Sequence, residues 1–139
     1  MPSNMKLYQL TVIFSVLFSL MGFSYNVWRM EITENNSNVR TACFEMLLEL
    51  AEVQQLVYAA HYDNNLEQGN PRVGWVKVGL IADLSSLTNQ AVAKESVELT
   101  QVWSTQWHSM HDDEQAASQI VEQVDNVREE IKRLLASLD

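Results

Sequence analysis

The sequence has little of what builds turn-rich folds, covalent frameworks or redox centres. Its 139 residues include only four glycines and two prolines, a composition that favours helices over a β fold with many turns. Cys43 is the single cysteine, which excludes an internal disulfide and any CxxC redox or zinc motif. A lone cysteine within an apolar helical stripe is typical of a small buried side chain. The length leaves room for one modest domain.

Motifs that carry chemistry are also missing from the sequence. It contains no Gly-rich phosphate loop, HExxH zinc motif, nucleophile elbow or DNA-reading motif. Glu45, Glu49 and Glu52 repeat at helical spacing, which predicts a solvated helix face rather than a set of acid–base catalysts. We therefore expect a protein that is not an enzyme and that needs no cofactor.

Positive charge is scarce after the first 30 residues. Residues 31–139 contain seven basic and 18 acidic residues, which gives a formal charge of −11. Such a surface repels nucleic acid phosphates and anionic lipid head groups. We expect no nucleic acid partner, and we expect the acidic part to stand off a bilayer rather than lie on it.

One long apolar run lies near the N-terminus. Leu7 to Trp28 are 22 consecutive uncharged residues, and a helix of that length spans about 33 Å, enough for the hydrocarbon core of a bilayer. The run predicts a transmembrane helix at residues 7–29, a signal anchor preceded by a short flank at residues 1–6. The membrane is therefore the first expected partner.

Aromatic and basic residues bracket this run. Tyr8 at one end and Tyr25 with Trp28 at the other lie where interfacial aromatic residues are expected, and Lys6 and Arg29 stand at the two ends. The basic residues on the two sides are nearly balanced. The acidic, basic-poor remainder is compatible with translocation, so we favour a single-pass protein of a bacterial inner membrane with a periplasmic C-terminal domain.

A cleavable signal peptide is the alternative to an anchor. Residues 22–24 (Gly-Phe-Ser) offer small residues at the two positions that a signal peptidase reads. The bulky Phe and Met residues nearby and the aromatic, basic flank favour an anchor. Both alternatives predict export.

The segment after the predicted span is polar, and a helical stripe follows it. Residues 30–39 form a juxtamembrane linker in which the spanning helix either loosens or continues. A soluble helical domain follows at residues 40–139. Its first helix is predicted from Arg40 to Tyr62, because apolar residues recur there at helical spacing. These residues are Cys43, Met46, Leu47, Leu50, Val53, Val57 and Ala60, with Phe44, Leu48 and Ala51 widening the stripe.

The middle of the domain holds two apolar stripes that are out of phase. After a polar break at residues 63–70, Asn70 and Pro71 predict the start of a second helix. The two stripes differ in direction by about 110° at the helical increment. The poor helix formers at residues 85–89 therefore mark a turn, which gives four helices, or a kink, which gives three with a long second helix. The stripes are Val76, Leu80, Leu84, Leu87 and Ala91, then Val92, Leu99, Trp103 and Met110.

The last helix carries the most regular pattern. Asp112 and Gln115 form a capping-box pattern that predicts its start. The apolar residues that follow alternate spacings of three and four, as in a heptad seam. Such a seam packs most simply on the other helices of the chain, and an intermolecular coiled coil is the alternative, which does not exclude the first. The predicted fold is all-α, a transmembrane helix followed by an antiparallel up-and-down bundle. The seam is Ala117, Ile120, Val124, Val127, Ile131, Leu134 and Leu138.

Two groups of side chains are candidate sites. The weak metal-ligand candidates are His61, His108, His111 and Asp112, which lie at predicted helix ends where capping also explains them. In a four-helix bundle His61 and His108 lie at the same end. The aromatic candidates for an interaction surface have core packing as their alternative role. They are Trp103, Trp107, Tyr58 and Tyr62.

These features favour a membrane-anchored helical interaction module. The chain offers an anchor and a packing surface but no reactive centre, which suits an accessory subunit of a membrane complex or a self-associating scaffold. The alternative is an extracytoplasmic ligand-binding or sensory four-helix domain that signals through a partner protein, similar in layout only to the sensory domains of bacterial chemoreceptors.

Overall fold

The computed structural model describes residues 2–138, which form four α-helices and contain no β-strand. The predicted all-α class is confirmed. The chain divides into two compact units, Met1–Ser37 and Asn38–Asp139. The helices are α1 (Pro2–His61), α2 (Pro71–Ser85), α3 (Gln90–Gln106) and α4 (Glu114–Ser137).

The helix bounds answer two questions that the sequence left open: whether α1 continues through residues 30–39, and whether residues 85–89 form a turn or a kink. Residues 30–39 are helical, because this polar segment contains no glycine or proline that would break α1. The first helix of the bundle is therefore the C-terminal part of α1. Between α2 and α3 the chain forms a turn rather than a kink, so the four-helix alternative is correct.

In the N-terminal unit, the apolar side chains of α1 are exposed. The helix is long and apolar enough to cross a membrane, and none of its most apolar stretch is buried. The hydroxyls of Thr11 and Ser19 donate to the carbonyl oxygens of Leu7 and Ser15, at 2.9 and 2.8 Å. These polar side chains are thus satisfied inside the helix, as an apolar environment requires.

The second unit is an up-and-down bundle whose last helix returns to its first. α2 packs on α3, and α3 packs on α4. Arg40, near the start of this part of α1, donates to the carbonyl oxygen of Leu138 after α4. At the other end, His61 contacts Met110 just before α4. These two contacts make α1 and α4 antiparallel neighbours.

Asparagine and aspartate side chains begin the helices of the bundle. The Asn70 side chain accepts a hydrogen bond from the backbone N–H of Arg72 and the Asn89 side chain accepts one from Val92, as an N-cap does. The prediction that Asp112 begins the last helix is wrong by one residue. Asp113 is the N-cap, and its carboxylate accepts from the backbone N–H of Gln115.

The core contains most of the predicted stripes. In α3 and the connection after it, all four predicted residues are buried, and in α4 the seam is buried except near the C-terminal end, where Leu134 and Leu138 are partly exposed. The largest fully buried side chains come from all four helices and from the connection between α3 and α4. They are Trp103, Met46, Leu50, Ile81, Leu99, Met110, Ile120 and Ile131.

The predicted core face of α2 is wrong. Val76 is 71% exposed and Leu80 is 41% exposed, whereas Ile81 is fully buried. Both faces of α2 carry apolar residues, so periodicity alone does not decide between them, and the face packed against Trp103 is the one that carries Gly74. Leu84 is partly buried, and Leu87 and Ala91 are exposed. The buried residues of α2 are Gly74, Val78, Ile81 and Ser85.

The prediction that three further residues widen the core face of α1 is also wrong. Phe44, Leu48 and Ala51 are exposed, because they lie beyond the edge of the face that carries Cys43 and Met46. The predicted central stripe itself is buried, with Leu47 partly so. The bundle therefore leaves apolar side chains on the outside of both α1 and α2.

Candidate functional site

The three histidines lie at one end of the bundle. Nδ1 of His61 donates to the carbonyl oxygen of Met110, at 2.9 Å, and so ties the end of α1 to the connection before α4. His111 Nε2 lies 3.6 Å from a carboxylate oxygen of Asp112. The ring of His108 stands edge-on to that of Trp107, with centroids 5.8 Å apart.

These histidines do not form a preformed set of metal ligands, and the cavity beside two of them is mainly apolar. His108 and His111 line a cavity of about 280 Å³ whose other walls are mainly apolar. Within residues 2–138, no three His, Cys, Asp or Glu side chains are grouped so as to hold a metal ion. The remaining wall residues are Ala60, Leu66, Gly69, Pro71, Trp107 and Met110.

Trp103 is a core residue and not part of an interaction surface. Its side chain is 0% exposed, and its ring meets that of Trp75 edge-on at 6.5 Å. A Cβ added to Gly74 would lie 2.2 Å from Trp103 Cζ2, so the indole occupies the space that a side chain at Gly74 would need. Its Nε1 has no hydrogen-bond partner in the described part of the chain. The alternative role of core packing is therefore correct for Trp103, while Trp107 is partly buried against the core.

Tyr58 and Tyr62 lie on the surface, in a groove between α1 and α4. Their rings meet edge-on with centroids 5.7 Å apart, and the two residues are 40% and 61% exposed. The groove has a volume of about 270 Å³. We call it the tyrosine groove, and its α4 wall consists of Ala117, Ser118, Val121, Glu122 and Asp125.

A chain of hydrogen bonds fixes one wall of the tyrosine groove. Gln54 Nε2 donates to the Tyr58 hydroxyl at 3.0 Å, and Arg128 Nη2 donates to Gln54 Oε1 at 2.9 Å. The other terminal nitrogen of Arg128 pairs with Asp125 Oδ1 at 2.5 Å. Sequence reasoning missed Glu122, Asp125 and their neighbour Arg128, because each reads as part of a solvated helix face until α4 is placed beside α1.

A second surface feature is the apolar outside of α2. Val73, Val76, Leu80 and, in the following turn, Leu87 are all exposed, and we call them the α2 outer row. Val73 also lines a groove of about 330 Å³ between α1 and α2. The sequence pattern detected most of these residues but assigned them to the core.

Lysine and glutamate side chains join α1 to α2 beside this row. Lys77 Nζ pairs with Glu49 at 3.3 Å and also with Glu52. The pKa of Lys77 is raised above its ordinary value, chiefly by the hydrogen bond with Glu52 and to a smaller extent by Glu49. Partial burial of the lysine acts in the opposite direction.

Cys43 has the environment of a structural residue. Its side chain is fully buried in the core of the bundle, and burial raises the pKa of its thiol. Because the thiolate is the reactive form, a buried thiol with a raised pKa is a poor nucleophile.

Comparisons of the chain with protein families, with curated proteins and with solved structures find no match.

Proposed function

We propose that this chain is a non-enzymatic, membrane-anchored interaction module, an accessory subunit that packs against a helix of a partner protein. The observation that carries the proposal is the α2 outer row. α2 already uses its inner face to join the core, so the row is a second apolar face that the bundle does not need. Apolar residues that repeat at helical spacing on both sides of a helix are typical of a helix buried on both sides.

The spacing of the row fits a partner helix. Val73, Val76 and Leu80 follow one another at three and four residues and thus share one face. Leu87 extends the same line into the turn after α2. A row of this kind is the surface that an amphipathic helix covers when it packs alongside. Scattered single apolar residues would carry no such implication.

Charge favours a different protein over a second copy as the occupant. Residues 31–139 have a formal charge of −11, so two copies repel each other, whereas a partner with basic residues flanking its apolar face is attracted. Glu49 and Glu52 of α1 pair with Lys77, the residue after Val76 of the row, and so place negative charge beside it.

For location, we propose that the N-terminal part of α1 spans the inner membrane and that the bundle lies in the periplasm. The exposed apolar helix and the aromatic and basic residues at its two ends support an anchor. A C-terminal fusion tests the orientation. Alkaline phosphatase should be active and a cytoplasm-dependent fluorescent protein dark; the reverse result would place the bundle inside the cell.

Co-purification tests the interaction. The full-length protein is extracted from its own cells in several mild detergents, as wild type and as Val76→Lys. Wild type should carry a partner in a fixed ratio, and Val76→Lys should lose it, because a charge in the row prevents apolar packing. Val97→Lys is the matched control, since Val97 is also an exposed valine within a helix, on α3.

Two results would count against the proposed module. One is a wild-type monomer without a partner in every detergent. The other is equal retention of the partner by Val76→Lys and Val97→Lys, which would separate the interaction from the α2 outer row. A homodimer that Val76→Lys dissociates would identify a second copy as the occupant and contradict the argument from charge.

A ligand-binding bundle that signals through a partner protein is the second candidate function. The tyrosine groove favours it, because ligand sites in helical bundles form between neighbouring helices.

A further inference from the structure

The tyrosine groove combines the two kinds of group that recognise organic cations. Tyr58 and Tyr62 present aromatic surface on the α1 side. Glu122 and Asp125 stand on the α4 side, three residues apart and therefore on one face of the helix. The faces of aromatic rings attract cations, and carboxylates supply the opposite charge.

Part of the groove is organised before any ligand arrives. The hydrogen bonds from Gln54 to the Tyr58 hydroxyl and from Arg128 to Gln54 hold one wall in place. Preorganisation of this kind reduces the entropy lost on binding. Side chains that are already fixed by neighbours also give a site a defined shape.

The charges around the groove leave one carboxylate uncompensated. Arg128 is the basic residue at its edge, and its guanidinium pairs with Asp125. Glu122 has no ion pair within residues 2–138. The groove is thus net negative, within a domain that is itself strongly acidic. A cation is the complementary ligand.

We propose that the tyrosine groove binds a small organic ammonium ion. The cationic head lies against the rings of Tyr58 and Tyr62 with Glu122 as its counter-charge, and the apolar part of the ligand lies against Val121. The volume of about 270 Å³ suits a small amine. This inference gives a ligand class to the second candidate function and does not depend on the α2 outer row.

Choline and its neutral isostere, 3,3-dimethylbutan-1-ol, are the probes. The full-length protein in detergent carries ¹³C-labelled tyrosine rings, and each probe is titrated while the ring resonances are followed. Choline should shift the resonances of Tyr58 and Tyr62 along a saturable curve. The isostere has the same shape without the charge and should leave them in place at equal concentration.

Two pairs of variants locate the binding. Glu122→Gln should weaken choline binding about tenfold, the equivalent of about 1.4 kcal/mol, whereas Glu98→Gln, which removes the same charge from an exposed position on α3, should not. Tyr62→Leu should abolish saturable shifts at Tyr58, and Tyr62→Phe should restore them, because phenylalanine keeps the aromatic face.

Three results would overturn the proposal. They are the absence of saturable shifts with choline, equal shifts with the neutral isostere, and equal weakening by Glu98→Gln and Glu122→Gln, which would reduce the effect to overall charge. Co-purification with Tyr62→Leu separates this site from the proposed interaction. If Tyr62→Leu retains the partner while choline binding is lost, the two sites are independent. If the wild-type protein has no partner but binds choline, the proposed ligand site stands and the proposed interaction module does not.

Discussion

α2 and α4 join the same core in opposite ways. α4 turns its large aliphatic residues inward and most of its charged residues outward, so burial follows hydrophobicity as far as Ile131, with Gln123 the buried polar residue. α2 buries Gly74, Val78, Ile81 and Ser85, and leaves Val73, Val76 and Leu80 outside. Hydrophobicity therefore decides the orientation of α4, but it does not decide that of α2.

The room left beside Trp103 decides which face of α2 points into the core. The indole of Trp103 fills the core beside this helix, and only a residue without a side chain fits against it at Gly74. Once Gly74 faces inward, helical geometry directs Val78, Ile81 and Ser85 inward as well. The larger apolar residues then fall on the outside. The contrast separates the residues of α2 that build the bundle from those that stay on its surface.

The largest single effect is expected at Ile81, and its neighbour Leu80 is the comparison. Ile81→Ala should lower the free energy of unfolding by about 3–4 kcal/mol, because it leaves a cavity in the core, whereas Leu80→Ala should lower it by about 1 kcal/mol or less, because the side chain is already partly in solvent. Denaturant unfolding of the full chain in mild detergent, followed by tryptophan fluorescence, measures both. Equal losses would mean that α2 is rotated from the orientation described.

The two glycines of α2 give smaller individual effects, which have opposite signs. Gly74→Ala should destabilise the protein by about 2–3 kcal/mol, because the new methyl group overlaps the buried Trp103 ring. Gly79→Ala should stabilise it by about 0.5–1 kcal/mol, because alanine is the better helix former and nothing lies within 4 Å of the new Cβ. Thermal unfolding followed by circular dichroism compares them. A stabilising Gly74→Ala would show that the indole moves freely, and would remove the steric reason for the orientation of α2.

The same contrast explains which parts of the fold could be predicted. The seam of α4 is the only apolar face of that helix, so its period identified Ile120, Val124 and Ile131 as core residues without knowledge of the other helices. α2 is apolar on two faces, and the choice between them depends on a contact between Gly74 and Trp103 that no local pattern contains. Periodicity detects apolar faces but does not rank two of them on one helix.

The candidate sites divide in a similar way. Tyr58 and Tyr62 were predicted as interaction residues from their chemistry, and they lie in a surface groove. Glu122 and Asp125 were not, because exposed acids on α4 resemble any solvated face. The antiparallel pairing of α4 with α1 places the start of α4 opposite the end of α1. This pairing brings Glu122 and Asp125 to the two tyrosines.

The smallest expected effect concerns the ion pairs beside the α2 outer row. Lys77→Met removes the contacts with Glu49 and Glu52, and it should lower the free energy of unfolding by less than about 1 kcal/mol at neutral pH, because such partly exposed pairs are screened by solvent. Denaturant unfolding at several pH values measures the loss. Lys94→Met is the control, since Lys94 has no ion pair among residues 2–138.

The pH dependence of that loss gives the sharper test. The pKa of Lys77 is higher in the folded protein than its ordinary value, chiefly because of Glu52. The ion pairs therefore contribute their full stability below the ordinary lysine pKa, and the contribution disappears as the pH rises through the folded-state pKa. Wild type and Lys77→Met should differ by a constant amount through neutral pH and converge at strongly alkaline pH. A difference that persists there would mean that the lysine stem acts through packing between α1 and α2, because apolar contact is independent of the charge on Nζ.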